Sequence, residues 1–260
     1  MEFENIIYEK KGRVAILTIN RPDKRNSLNK ATRVEIAEVQ HRLEQDPSVG
    51  VLLITGAGDK AFVAGSDLNE FGRMNPLEAY HFLNTLAQRL YTRFEEMDIP
   101  VIALINGLCL GAGNEIALAC DLRLASDQAR FGQPEINLGI IPGSGATQRL
   151  TRLVGTGKAR ELIYTGEIIE APEALRIGLV NRVVPHADLM QAGLELAEKI
   201  ASRGAFSLKM AKRAIRMGQE VGLTPGLAYE ALAEMACFNH PDKSEGVEAF
   251  FGKRTPEFNR

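Results

Sequence analysis

The sequence predicts an α/β protein whose last quarter is helical. Three observations carry that expectation. Short β-rich apolar runs alternate with segments of helical spacing up to about residue 187, and strand signals vanish from Asp188 onward. Between them, a glycine-rich turn at residues 106–115, NGLCLGAGNE, opens into the apolar helical run IALAC and ends on a carboxylate.

Taken in order, VAILTI at residues 14–19 reads as a strand that Asn20-Arg21-Pro22 terminates. Residues 29–46 carry helical spacing through Val34, Ile36, Val39 and Leu43. Apolar strands follow at residues 49–55 and, after Pro100, at 101–105, with a helical run over about 77–97 between them. DLRLA at 121–125 and LVNRVV at 179–184 read as further strands, with helices at about 145–153, 158–164 and 172–176. From Asp188 three or four helices are expected, broken near Ser202, at residues 222–225 and at His240-Pro241. At 260 residues the chain is long enough for a substantial core plus a helical appendage.

Composition narrows the function classes. Lys and Arg number 31 against 33 Asp and Glu, a formal net charge of -2, so no global field draws the chain to nucleic acid or a membrane surface. Cys109, Cys120 and Cys237 are too few and too scattered for a disulfide framework and form no C-x-x-C pair. The N-terminus lacks a basic and apolar leader pattern, and no apolar run approaches the roughly 20 residues of a membrane helix, so a cytoplasmic protein is expected.

Two carboxylates stand in unusual settings. Glu115 falls in the first turn of a helix that starts near Ala112, where the dipole favours an anion whatever the function. Glu135 follows Pro134, a common helix start, and precedes the glycine-dense yet apolar run LGIIPGSGATQ. If Glu135 folds back beside Glu115, a glycine turn whose N–H groups polarise an electrophile would stand next to an acid/base pair. A second donor could come from AFVAGSD at residues 61–67, because an oxyanion hole usually draws on two segments. That segment also reads as a strand end and a capped helix, with Asp67 and Glu70 at capping-box spacing.

Other motifs fail. Gly155-Thr156-Gly157-Lys158 resembles a phosphate loop but has Arg152 for its first glycine and Ala159 for its Ser/Thr. No G-x-G-x-x-G follows a strand, and Gly143-Ser144-Gly145 lacks the outer glycines of a nucleophile elbow. His41, His81, His186 and His240 show no metal-pair spacing, so no metal is expected, and Cys109 has no local histidine to activate it.

Together, INRPDKRNSLN, AFVAGSDL, NGLCLGAGNEIALACDLRLAS, FGQPEINLGIIPGSGATQRL, YTGE, APEALRIGLVNRVV and EAFFGKR resemble the crotonase, or enoyl-CoA hydratase/isomerase, superfamily over nearly the whole chain. The resemblance implies a β-β-α spiral core over residues 1–187 and a helical trimerisation region over 188–260, assembled as a homotrimer or as a hexamer of two trimers. It implies that Val63 and Ala112 N–H groups hold a thioester oxygen and that Glu115 and Glu135 are the catalytic pair. Gly143 N–H would help to hold the water or a glutamate. Ala61, Ala64, Asp67 and Leu68, with Phe250 and Lys253 reaching a neighbouring subunit, would contact coenzyme A, and no cofactor beyond that of the substrate is implied.

Several positions depart from the family pattern. Ala112 stands for a usual glycine, Asn114 for a common cysteine, Ser66 for a common alanine and Ser144-Gly145-Ala146 for Ala-Gly-Gly. The expected reaction is reversible syn addition of water to a 2-enoyl-CoA, with Glu135 protonating Cα and Glu115 handling water. A Δ3,Δ2-enoyl-CoA isomerase, which needs one base, is the alternative. An RNA-binding member is a third reading, against which the near-neutral charge and the modest cluster Lys209 to Arg216 both speak.

Overall fold

The computed structural model describes residues 3–258. The chain begins with a hairpin, β1 (Ile6–Lys11) and β2 (Val14–Ile19), followed by α1 (Lys30–Gln45). Next come β3 (Val51–Gly56), β4 (Ala61–Val63), α2 (Leu68–Phe71), α3 (Pro76–Phe82), a π-helical turn at Leu83–Ala87 and α4 (Gln88–Glu96). A second round runs β5 (Val101–Ile105), β6 (Leu108–Leu110) and α5 (Ala112–Ala119). A third runs β7 (Leu122–Ser126), β8 (Arg130–Gly132), a 3-10 turn at Pro134–Leu138, α6 (Ala146–Val154) and α7 (Thr156–Thr165). Then β9 (Ile168–Glu170), α8 (Ala171–Arg176) and β10 (Arg182–Val184) lead to α9 (Leu189–Ala201), α10 (Ala205–Glu220), α11 (Leu223–Phe238) and α12 (Pro241–Phe251).

The strands form two sheets, ordered β1-β2-β3-β5-β7-β10 and β4-β6-β8-β9. Only the β1–β2 and β8–β9 pairs are antiparallel. Three times the chain steps from a strand of the larger sheet to one of the smaller and returns through helices, which is the β-β-α spiral. Alternation along the central strands serves two cores. Ala15, Leu17, Leu52, Ile54, Val101, Ala103 and Ile105 face the main core with α1, α4 and α5. Val14, Ile16, Val51, Leu53, Ile102 and Leu104 face Leu189, Ala197 and Ala201 of α9. Covered on both faces, these strands are continuously apolar.

Helix α9 therefore belongs with the sheet it covers, and Gly193 lets it approach closely: an added Cβ there would lie 2.5 Å from Leu104. Its apolar face closes the second core, and beyond it the chain continues as the helical part made of α10, α11 and α12. That part docks through charge. Lys212 binds the carbonyls of Phe94 and Ile99 and the carboxylate of Asp121, while Lys209 and Arg213 pair with Asp98 and Arg216 with Glu96. The basic cluster expected to be a solvated helix face is instead neutralised by the core.

Most predicted elements match within one or two residues. The run at 179–184 is strand only over Arg182–Val184, because Leu179 and Val180 are buried in the turn after α8. The expected Asp67–Glu70 capping box does not close: Asp67 caps α2 by accepting from Asn69 N, whereas Glu70 accepts from Lys30 N at the start of α1.

Two buried asparagines hold the connection that aims β4. Asn26, with φ 57°, accepts from Arg21 N and donates to the carbonyls of Ala57 (3.0 Å) and Ala61 (2.7 Å). Asn106 donates to the carbonyls of Gly56 and Gly58. Residues 25–28 then run beside 64–67 through Ala64 N to Arg25 O, Leu28 N to Gly65 O and Asp67 N to Leu28 O. Replacing Asn26 by alanine strands the buried Ala61 carbonyl and the half-buried Ala57 carbonyl and keeps a left-handed backbone that alanine tolerates poorly. Urea denaturation of Asn26→Ala is expected to show a loss of about 3 kcal/mol.

Candidate active site

The site is built where the smaller sheet meets the start of α5. Gly111 adopts φ 51° and ψ -120°, a conformation open to glycine, and donates to Gly132 O before the helix begins. The N–H groups of Ala112, Gly113 and Asn114 open the helix and have no intrahelical acceptor, so they form an electropositive end. Gly113 is seated on β4: an added Cβ would overlap the Val63 carbonyl oxygen and lie 2.8 Å from Val63 Cβ. The two segments expected to supply oxyanion donors are thereby in contact.

Glu115, in the first turn of α5, is 2% exposed. Its Oε1 accepts from Ser144 N (2.6 Å) and Ala146 N (3.2 Å). Burial pushes its pKa up, while these donors and, more weakly, Arg149 oppose the rise. The backbone support expected from Gly143 N–H thus reaches Glu115 from its neighbours, and the Gly143 carbonyl accepts from Gln88 Nε2 at 2.8 Å. Gly145, at φ 124°, makes the turn into α6, leaving room for the Arg149 guanidinium. Arg149 forms a two-pronged pair with Glu95 at 2.7 Å and donates to Ser144 O at 3.1 Å, bracing the loop behind Glu115.

Glu135 opens the 3-10 turn after β8, and its carboxylate lies against Gly111, 3.0 Å from where a Cβ would stand. Burial raises its pKa to about 7, and the charge of Glu115 adds to the rise. The glutamates, 20 positions apart in sequence, therefore share one site and resist double ionisation. Gln133, 1% exposed, stands between Glu135 and Asn114, and an ionised Glu135 assigns its amide nitrogen to the carboxylate side, 3.0 and 3.1 Å from the two oxygens. In that orientation the Gln133 oxygen accepts from Asn114 Nδ2 at 3.2 Å. Sequence reasoning passed over Gln133, whose one signal is a polar residue directly after the apolar FG of β8.

The remaining expected residues are dispersed. Ala61 is buried in β4, and Ala64 and Asp67 are half-buried in the loop beyond it, with Asp67 paired to Arg21 at 3.1 Å. Leu68 is 55% exposed at the start of α2. Phe250, on α12, and Lys253 just past its end share no hydrogen bond or ion pair with the glutamates among the described residues. Ser66 accepts from the fully buried Arg33, whose guanidinium stacks on Phe82. Cys109 is buried, its thiol pushed well above the ordinary range, and Cys120 is pushed up to about 12 by burial, so neither is poised as a nucleophile. Among the described residues no three His, Cys, Asp or Glu side chains are grouped to hold a metal ion.

With this geometry in view, residues 9–260 match the family described as enoyl-CoA hydratase/isomerase. The chain belongs to that family. It is 47% identical to the short-chain-enoyl-CoA hydratase of Clostridium acetobutylicum over 257 residues, covering 99% of this chain and 98% of that protein. It is 45% identical to the crotonyl-CoA hydratase of Syntrophomonas wolfei over 258 residues, covering 99% of both. The fold superposes on the crystal structure of an enoyl-CoA hydratase from Bacillus anthracis with a TM-score of 0.95 at 42% identity, covering 98% of this chain and 99% of that one. Membership of the family accords with the spiral topology.

The raised pKa of Glu135 has a consequence for stability. The folded state holds this proton more tightly than the unfolded chain, so the stability it contributes is full below pH 4.5 and is lost as pH rises through about 7. Glu135→Gln removes that loss. Scanning calorimetry is expected to show a melting midpoint raised by about 4–8 °C at pH 8, corresponding to ~2 kcal/mol after allowance for solvent screening, and little change at pH 4.

Proposed function

We propose that the protein is an enoyl-CoA hydratase, adding water reversibly and syn across the 2,3 double bond of a 2-enoyl-CoA thioester. The observation that carries this reading is the pair of carboxylates, Glu115 buried on two backbone donors and Glu135 with a pKa near 7, beside an uncapped helix start. In this reading Val63 and Ala112 N–H groups receive the thioester oxygen, drawing electron density from Cβ and stabilising the enolate-like transition state. Each such donor contributes roughly 3–4 kcal/mol. Glu115 deprotonates a water that attacks Cβ, and Glu135 delivers a proton to Cα. Hydration neither consumes nor releases a proton, so the singly protonated pair is the active form in both directions.

Migration of a double bond needs one base, so the second carboxylate beside Glu135 favours hydration over isomerisation as the main activity. The RNA-binding reading loses its one basic cluster to ion pairs with Asp98, Asp121 and Glu96. Coenzyme A is the only carrier the reaction requires, and the loop bearing Ala61, Ala64, Asp67 and Leu68 is its proposed contact. Helices α10–α12 leave Leu223, Leu227, Met235, Phe250 and Phe251 more than half exposed, an apolar area that supports assembly as a homotrimer or hexamer. Such assembly would let Phe250 and Lys253 serve a neighbour's site. Among the described residues no helix is long and apolar enough to cross a membrane.

Loss of enoyl absorbance on mixing with crotonyl-CoA tests the reading. Glu115→Gln and Glu135→Gln are each expected to lower kcat by roughly 10²–10⁴-fold. Near-wild-type hydration by either variant contradicts the two-carboxylate mechanism.

A further inference from the structure

Arg33, on α1, is a buried cation that forms no ion pair among the described residues. It is 1% exposed, and it donates through Nη1 to the carbonyls of Leu28 (2.6 Å) and Asn29 (3.4 Å) and through Nη2 to Ser66 Oγ (2.8 Å). Nε has no partner, so Nε and the second hydrogen of Nη2 stay unused, and these neighbouring nitrogens form a fork that fits a carboxylate. The Tyr91 hydroxyl, on α4, is fully buried and equally unpartnered among the described residues. A charge and a hydroxyl left without acceptors in the interior are costly, and a bound anion would supply what both lack.

The cluster adjoins the site on two flanks. Ser66 stands in the loop after Val63, where Gly65 Cα lies 4.0 Å from the position a Gly111 Cβ would take. On the other flank the Phe82 ring covers the guanidinium at 4.9 Å, and the next residue, Leu83, packs against Gly143 in the loop that holds Glu115. Burial pushes the Tyr91 pKa up, Arg33 opposes the rise and the Glu115 charge adds to it, so the hydroxyl stands within reach of both. Phe82 is half-buried on α3, a helix with no buried residue, so its ring can turn aside without opening the core. We infer that Arg33, Tyr91 and Ser66 receive the far end of the acyl group, and that the substrates are short 2-enoyl-CoA thioesters whose acyl chain ends in a carboxylate. The inference rests on the hydratase reading and names the substrate class of that site.

The test follows loss of enoyl absorbance with the full-length enzyme on two matched pairs of thioesters. One pair is 4-carboxybut-2-enoyl-CoA and pent-2-enoyl-CoA; the other is 5-carboxypent-2-enoyl-CoA and hex-2-enoyl-CoA. The wild type is expected to favour the carboxylate-ended thioester of at least one pair by roughly tenfold in kcat/KM. Arg33→Met is expected to abolish or invert that preference, and Tyr91→Phe to reduce it roughly threefold. Each ratio is taken within one variant, so a general loss of activity cancels. A wild type that favours neither carboxylate-ended thioester, or a preference unchanged in Arg33→Met or in Tyr91→Phe, overturns the inference. If Arg33→Met does not fold, the wild-type ratios and Tyr91→Phe decide by the same criteria. A wild type inactive on all four thioesters and on crotonyl-CoA overturns the hydratase reading itself, whereas turnover of the methyl-ended thioesters without the preference overturns this inference alone.

Discussion

The seating of α5 on β4 is the contact from which the rest of the site follows. Gly113 meets the Val63 backbone with no side chain between them, and a single methyl would force the helix off the strand. Because β4 and β6 are parallel neighbours, the turn at Gly111 delivers the helix start to the same end of the smaller sheet as the loop after Val63. The other devices secure one side or the other of this contact. Asn26 and Asn106 hold the turn that leads into β4, the left-handed Gly111 sets where α5 begins, and the apolar layers of the larger sheet fix the strands that carry both.

On that scaffold the two glutamates receive opposite treatment from shared causes. Burial raises both, yet Glu115 is given backbone donors from Ser144 and Ala146 with Arg149 behind them, while the donors facing Glu135 come from a side-chain amide. Glu115, the group assigned to water, rests on backbone donors; Glu135, lifted by burial to about 7, is the one assigned to carry a proton. Charge repulsion between them keeps a single proton in the site.

The central strands of the larger sheet and the helices were legible because each is a run long enough to read, as VAILTI, VIALI and the sixteen residues of α1 are, whereas β1, with its charged IIYEKK, was passed over. The smaller sheet was not. β4, β6, β8 and β9 have three residues each, too short for alternation; AFV reads as a strand end or a loop, and LCL as part of a glycine turn. Those strands are nonetheless what join Val63, Gly111 and Glu135. From the residues alone each glutamate had an ordinary explanation as a helix-start acid, and the resemblance supplied their pairing. Gln133 and the bracing of Ser144 by Arg149 and Glu95 depend on contacts across 54 residues of sequence or on an amide's orientation, and no local pattern announces either.

The central claim is that two backbone N–H groups, from β4 and the first residue of α5, jointly receive the thioester oxygen. A crystal structure with a bound non-hydratable acyl-CoA thioester tests it most directly. The account predicts that oxygen within about 2.7–3.1 Å of both the Val63 and Ala112 nitrogens, with Cα facing Glu135. A thioester oxygen held by a side chain, or by one of these nitrogens alone, would contradict it.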